Sequence, residues 1–194
     1  APSISTWLVA GMFPAVQPSG RLTTANCINR KGNDPPMKLV LPEEIRLVIE
    51  TIEAAGFPAY IVGGSVRDSL LGVRPGDWDL AAGASAAEIA GLFPDSVLIG
   101  ERFGVVRVTV GGETADIAAM RIDGTYSDHR RPDAVVFTDE IEKDLSRRDF
   151  TVNGMAYNPR TGLVDPFGGQ RDLAARILRA SGKPEERFTE DPLR

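Results

Sequence analysis

The sequence predicts an α/β (α+β) fold, a mixed sheet flanked by helices. Three observations carry this. Ile45, Val48, Ile49 and Ile52 recur at helical spacing. The short apolar run Ala59–Val62 leads straight into Gly63-Gly64. Phe103–Val110 and Glu113–Met120 are two β-like runs joined by Gly111-Gly112, a strong hairpin signal.

Residues 1–36 differ from the rest of the chain. They open with APSISTWLVAGMFPAVQPSG, which has no clear period, and Asp34 is their only acid. No basic start precedes Trp7–Val16, which argues against a secretory signal. Residues 1–36 are therefore expected to be a leader, a tag or a mis-assigned upstream segment, with Met37 as the true start. Leu41-Pro42-Glu43-Glu44 then opens a helix, with proline early and acids in the first turn. Gly56 ends it. Ser65–Leu71 reads as a short helix closed by Gly72, and Asp77–Ala82 alternates like a strand. Ser85-Ala86-Ala87-Glu88 is a capping box that opens a helix running to about Phe93. From Asp172 the pattern is helical with loops.

Composition narrows the chemistry. At 194 residues the chain suits one ordinary domain, with or without a tail. Apolar residues at 42% and charged residues at 25% exclude a fully disordered or fibrous chain. No stretch approaches the roughly 20 uncharged apolar residues of a membrane span, and a cytoplasmic location is expected. A single cysteine, Cys27, excludes an internal disulfide framework and a Cys-rich zinc site. A single histidine, His129, argues against a His-based metal site or a Ser-His-Asp triad. A metal here would lean on oxygen ligands, which points to a hard cation such as magnesium. The net charge of −5 argues against a general nucleic-acid coat. Only four of the 22 basic residues are lysines, and arginine's planar fork suits phosphate and base edges. A GC-rich genome explains that bias about as well.

Several constellations carry chemistry. Gly63-Gly64-Ser65 is a strand-to-helix turn, where glycines admit a ligand close to the backbone and the helix start offers N–H groups to phosphate. Taken alone, a Gly-Gly before a helix is more often just a tight turn. Asp77-Trp78-Asp79 puts two carboxylates on one strand face, where they repel unless a cation or a partner lies between them. A solvated sheet edge is the plainer reading. Asp116 in the second hairpin strand is either exposed or the third carboxylate of a two-metal site. Arg147-Arg148-Asp149 and Asn153 lie beside Phe150 and Met155, a mixture suited to phosphate, ribose and base, or to the cap of a buried helix. Asp165-Pro166-Phe167-Gly168-Gly169 reads as a turn and helix cap.

A glycine turn, a helix and then a strand bearing D-x-D resemble the DNA polymerase β-like nucleotidyltransferases. The ordered motifs VGGSVRD, GDWDL, DGTYSDHRRPDAVVF, RRDFTVNGMAY, DPFGGQRDL and RFTEDPLR are more specific together. They make Met37–Arg194 similar to the catalytic head and start of the helical neck of the class II tRNA nucleotidyltransferase (CCA-adding) and bacterial poly(A) polymerase family. The resemblance implies a head over 37–165 and the start of a neck over 166–194, with the rest of the neck, body and tail absent. Gly154 departs from the family, where alanine is usual.

The resemblance also implies roles. Asp77 and Asp79 would be the catalytic, Mg²⁺-binding pair, with Asp116 as the third acid. Gly63, Gly64, Ser65 and Arg67 would shape the triphosphate side. Arg121, Arg147, Arg148, Asp149 and Asn153 would hold phosphate and ribose. Glu190, Asp191 and Arg194 would read the base, and Arg121–Phe137 would be the loop that switches the enzyme to adding A. The expected function is template-independent addition of C and A from CTP and ATP to a tRNA 3′ end. A-only, CC-only and poly(A) addition remain alternatives. A catalytically silent nucleotide- or RNA-binding fragment is an alternative from another class, which intact Asp77 and Asp79 argue against.

Overall fold

The computed structural model describes residues 38–99, 104–124, 132 and 134–192. The expected leader, Met37, Phe103, the middle of the 121–137 loop and Arg194 lie outside the described residues.

Helix α1, Glu43–Ala54, starts after Pro42 and buries Ile45, Val48, Ile49 and Ile52, the stripe expected from their spacing. Strand β1, Ala59–Val62, runs into helix α2, Gly64–Leu70. The turn between them needs Gly63, whose φ is +65°, a region that side chains with a Cβ rarely enter. Strand β2 is Trp78–Ala82. Helix α3, Ala86–Leu92, carries the capping box: Ser85 Oγ accepts from the Glu88 amide and the Glu88 carboxylate accepts from the Ser85 amide. The edge strand β3, Val97–Ile99, precedes the hairpin of β4, Val105–Val110, and β5, Glu113–Ala119. Gly111 and Gly112 both have positive φ, at 57° and 91°, as a two-residue primed turn requires.

Besides β3, three further parts were not anticipated. Strands β6, Arg121–Asp123, and β7, Val135–Phe137, form a separate antiparallel ribbon at the two ends of the expected loop. Helix α4, Ile141–Ser146, follows that ribbon. The RRDFTVNGMAY segment makes a single 3-10 turn, Thr151–Asn153, and then strand β8, Ala156–Asn158, rather than a buried helix. Strand β9, Gly162–Val164, pairs with β8. These strands are three residues long, too short for an alternating pattern to stand out in a sequence. Gly154 closes the 3-10 turn. A methyl there would sit 3.3 Å from both Phe167 and the Ser181 hydroxyl, too close for alanine to be accommodated without a shift.

The main sheet has seven strands in the order β3-β4-β5-β2-β1-β8-β9, antiparallel except for the β2–β5 pair. Crossing from β2 to β5 passes through α3, β3 and β4, so the fold is a mixed sheet flanked by helices, as expected. One sheet face packs Ile61, Trp78, Leu80 and Ile117 against α1 and Ile89 of α3. On the other, Val62, Ala81, Met120 and Ala156 pack against Ile141 and Leu145 of α4. Among the described residues no helix is long and apolar enough to cross a membrane.

Helix α5, Gly169–Ala175, is stitched to the sheet domain. Asp165 accepts hydrogen bonds from the Gly169 and Gln170 amides, the expected cap. Asp172 is buried, with its carboxylate held by Arg179 and the Thr151 hydroxyl. A Cβ on Gly169 would lie 2.1 Å from the Thr151 carbonyl oxygen, so the helix sits directly on the 3-10 turn. Gly169→Ala should therefore force backbone apart and cost more than about 2 kcal/mol. Gly91→Ala, at an exposed position of α3 where a Cβ meets nothing, should stabilise by about 0.5–1 kcal/mol. Thermal melts of the two variants check this: opposite signs are expected.

Candidate active site

The acidic site grows out of the sheet's alternation. Trp78, Leu80 and Ala82 of β2 point into the larger core, so Asp79 lies on the opposite face. The parallel β2–β5 register places Asp116 directly beside Asp79. Asp77 precedes the strand by one residue and, like Asp79, is exposed, whereas Asp116 is half-buried. The Asp79 carboxyl is pushed above the usual carboxylate range, chiefly by partial removal from water. The Arg148 cation opposes that shift, and the charges of Asp116 and Asp77 add to it.

Asp116 has a partner of its own. Arg107, its register neighbour on β4, grips it with two hydrogen bonds of 2.7 and 2.6 Å. Among the described residues no three acidic, histidine or cysteine side chains form a ready-made metal cage. The donor set nonetheless fits a hard divalent ion. It is all carboxylate, and the charges of Asp116 and Asp77 that add to the rise of Asp79 are what a cation would offset.

Arginines line the site, organised by a residue that the sequence reading missed. Asp144 of α4 is fully buried. Its carboxylate accepts from Arg147 at 2.9 Å, from Arg148 at 3.0 Å and from the Arg121 amide at 3.2 Å. Burial alone would raise its pKa, but the Arg147 and Arg148 cations outweigh that and hold it below the usual range. Arg147 also approaches Asp123 at 3.5 Å, and Asp123 accepts from the Arg121 side chain at 2.8 Å. The base of the β6–β7 ribbon is thus wired to the arginine pair. Arg148 in turn presses on Gly63, where an added Cβ would lie 2.9 Å from its Nη1. Its buried Nε has no hydrogen-bond partner. The spacing of Asp144 to Arg147 and Arg148, i to i+3 and i+4, was the available signal for this hub.

A second chain of polar contacts runs beside it. Arg67 of α2 donates to Asn153 Oδ1 at 2.8 Å, and Asn153 Nδ2 donates to Asp149 at 3.2 Å. Asp149 also accepts from the Phe150 amide at 2.7 Å. Gly64 opens α2, and a Cβ there would meet only the Arg67 guanidinium at 3.5 Å, an ordinary contact. Ser65 is buried, and its hydroxyl is engaged by the backbone of Asp77 and Asp79.

Helix α6, Pro184–Glu190, is anchored from Arg187, another residue not singled out from the sequence. Arg187 donates to the Ser146 and Ser181 carbonyls, both at 2.8 Å, and to Glu190 at 2.9 Å. The helix stops at Glu190. Asp191 is extended, as a residue before proline prefers. Asp191 therefore lies off the helix, and Arg194 lies outside the described residues. The expected switching loop is likewise visible only at its ends. There the Gly124 amide donates to the Ala134 carbonyl at 2.9 Å, and a Cβ would lie 3.0 Å from that oxygen, so Gly124 closes the ribbon rather than merely letting it bend.

Comparison with known proteins bears on the fold and the family. A family profile described as the poly(A) polymerase head domain matches residues 59–179. The chain is 43% identical over 147 residues to a CCA-adding enzyme of Geobacillus kaustophilus, covering 76% of this chain and 36% of that one. Its structure superposes on the Bacillus stearothermophilus CCA-adding enzyme in complex with CTP with a TM-score of 0.71 at 36% identity, covering 79% of this chain and 37% of that one. The Thermotoga maritima CCA-adding enzyme complexed with tRNA gives a TM-score of 0.59 at 32% identity, covering 79% and 36%. The chain thus spans little more than a third of the length of these relatives.

The hub makes a pH-dependent prediction. Asp144→Asn leaves Arg147 and Arg148 without their buried counter-charge and should cost about 3–5 kcal/mol at neutral pH. Because Asp144 is depressed in the folded state, its charge stabilises fully above the unfolded carboxylate pKa of about 3.9. That contribution fades as pH falls through the folded value below it. Melting the wild type and the variant side by side should show a gap that is constant above about pH 5 and narrows in acid. A gap that persists unchanged in acid would mean the ion pairs are not its source.

Proposed function

Since the chain belongs to the class II tRNA nucleotidyltransferase and poly(A) polymerase family, we propose that it is the catalytic head of a template-independent RNA nucleotidyltransferase. The reaction is addition of C and A, from CTP and ATP, to the 3′ end of tRNA in the cytoplasm. One observation carries this: Asp79 and Asp116 share a register on parallel strands with Asp77 two residues before Asp79, and the Arg148 cation acts on Asp79.

In the transfer, the terminal 3′ hydroxyl attacks the α-phosphorus, a new phosphodiester forms, and pyrophosphate leaves. Asp77 and Asp79, with Asp116, are the residues that would hold Mg²⁺. The bound metal would supply activation of the hydroxyl and neutralisation of the leaving triphosphate. Arg148 sets the charge balance of Asp79 and, with Arg147, offers fixed guanidinium groups on the phosphate side. Gly63 leaves the room that Arg148 occupies. Arg67 and Asn153, already hydrogen-bonded to each other, suit the ribose and triphosphate. Arg121 connects this side to the loop that would switch between bases.

Base choice follows from hydrogen-bond inventory. Cytosine and adenine both present an amine donor beside a ring-nitrogen acceptor, whereas uracil and guanine present the reverse. Asp191 would accept from the amine and Arg194 would donate to the ring nitrogen. Glu190 keeps the end of α6 in place through Arg187. Each mismatched group costs roughly 1–3 kcal/mol when left unpaired, so UTP and GTP would be disfavoured on the order of a thousandfold.

Two measurements on the full-length protein test this. Asp77→Ala or Asp79→Ala should abolish Mg²⁺-dependent incorporation of labelled CTP and ATP into tRNA while the protein still folds, because each removes one of several repelling acids. Near-wild-type turnover in either would overturn the assignment. In Asp191→Ala the preference for CTP over UTP should collapse; a ratio that stays at the wild-type value would move base reading elsewhere.

A further inference from the structure

Ser65 is 2% exposed, so its hydroxyl has little access to a ligand. It lies against the backbone on both sides of Trp78. The hydroxyl accepts from the Asp79 amide at 2.9 Å and donates to the Asp77 carbonyl at 3.3 Å. The β1–β2 register ends at Ile61 and Leu80, because the chain of β1 turns away into α2 at Gly64. The amide of Asp79 and the carbonyl of Asp77 lie just past that point, where a strand partner would otherwise pair with them. The Ser65 hydroxyl takes the partner's place. It can do so because a hydroxyl is both donor and acceptor. Its own carbonyl accepts from the Ser69 hydroxyl at 2.7 Å, which ties Ser65 to the next turn of α2.

We propose that Ser65 is a positioning residue that fixes the spacing and direction of the Asp77 and Asp79 carboxylates through their backbone, rather than a residue that contacts the nucleotide. The proposal rests on the reading of Asp77 and Asp79 as the acid pair of the site, but the clamp itself is a property of the apo chain. With the hydroxyl gone, Asp79 keeps its place in β2 from Leu80 onward, while the segment through Asp77 loses its tie to α2. The two acids then sample a wider range of separations, and a cation that needs both binds more weakly.

The test separates the clamp from the chemistry. In amide hydrogen exchange, Asp79 of the wild type should be protected although its amide lies past the end of the β1–β2 register. In Ser65→Ala it should exchange about tenfold faster or more, as loss of one part-buried hydrogen bond implies, while Leu80, Ala81 and Ala82 keep their rates. A wild-type Asp79 amide that exchanges freely overturns the proposal, and this outcome does not depend on whether the variant folds. Mn²⁺ titration followed by electron paramagnetic resonance should show weaker binding in Ser65→Ala. Steady-state kinetics of the full-length variant should show kcat reduced with the KM for CTP unchanged. A raised KM with unchanged Mn²⁺ affinity overturns the proposal, because it makes Ser65 a nucleotide contact. Should wild-type binding of Mn²⁺ prove independent of Asp77 and Asp79, the acid-pair reading fails, while the Asp79 exchange rate still decides the clamp.

Discussion

Three carboxylates on one face of a sheet repel, and the rest of the site is arranged around that repulsion. Asp79 lies between the other two, with Asp116 in register beside it and Asp77 two residues earlier. Two arginines offset it. Arg107 takes Asp116 in a two-pronged ion pair, and Arg148 faces Asp79. An arginine so enclosed needs a counter-charge of its own, since burial lowers its affinity for the proton. Asp144 supplies it from inside α4. The turn at Gly63 must then lack a side chain, because Arg148 fills that space. A glycine that the sequence marks as a tight turn is thus also required by an arginine far along the chain.

The same charges explain why the site spans several elements. Asp144 also holds Arg147 and the backbone of Arg121, and Asp123 bridges Arg121 and Arg147. The β6–β7 ribbon, α4 and the arginine pair form one connected network. A shift of the ribbon therefore cannot leave Arg147 and Arg148 undisturbed. This couples the ends of the loop to the arginine pair, since buried ion pairs break at high cost rather than stretch.

The legible part of the fold was the part with period or punctuation. α1 announced itself by four apolar positions, α3 by its capping box, and the β4–β5 hairpin by two adjacent glycines. The illegible part was short or held together at a distance. Strands β6 to β9 are three residues each and owe their existence to partners rather than to composition. At the site, Asp77 and Asp79 were readable from their alternation. The pairing of Asp116 with Asp79 was not, because parallel register between strands so far apart in sequence leaves no local mark. Asp144 had a helical spacing to two arginines, yet a buried acid looks like a surface salt bridge until its burial is known.

Ser65 shows the limit most clearly. A serine after two glycines at a helix start reads as a phosphate contact, since all three features favour an anion. What decides its role is where β1 stops pairing, a tertiary fact. Once β1 leaves the sheet, an amide and a carbonyl next to the acid pair lose their partner, and a buried, unpaired backbone group is among the costlier defects a fold can carry. The hydroxyl meets that demand first, and the demand comes from the very strand that bears the chemistry. Precise placement of two repelling acids thus follows from satisfying the backbone around them, and the glycine turn at Gly63 is what lets α2 bring Ser65 under it.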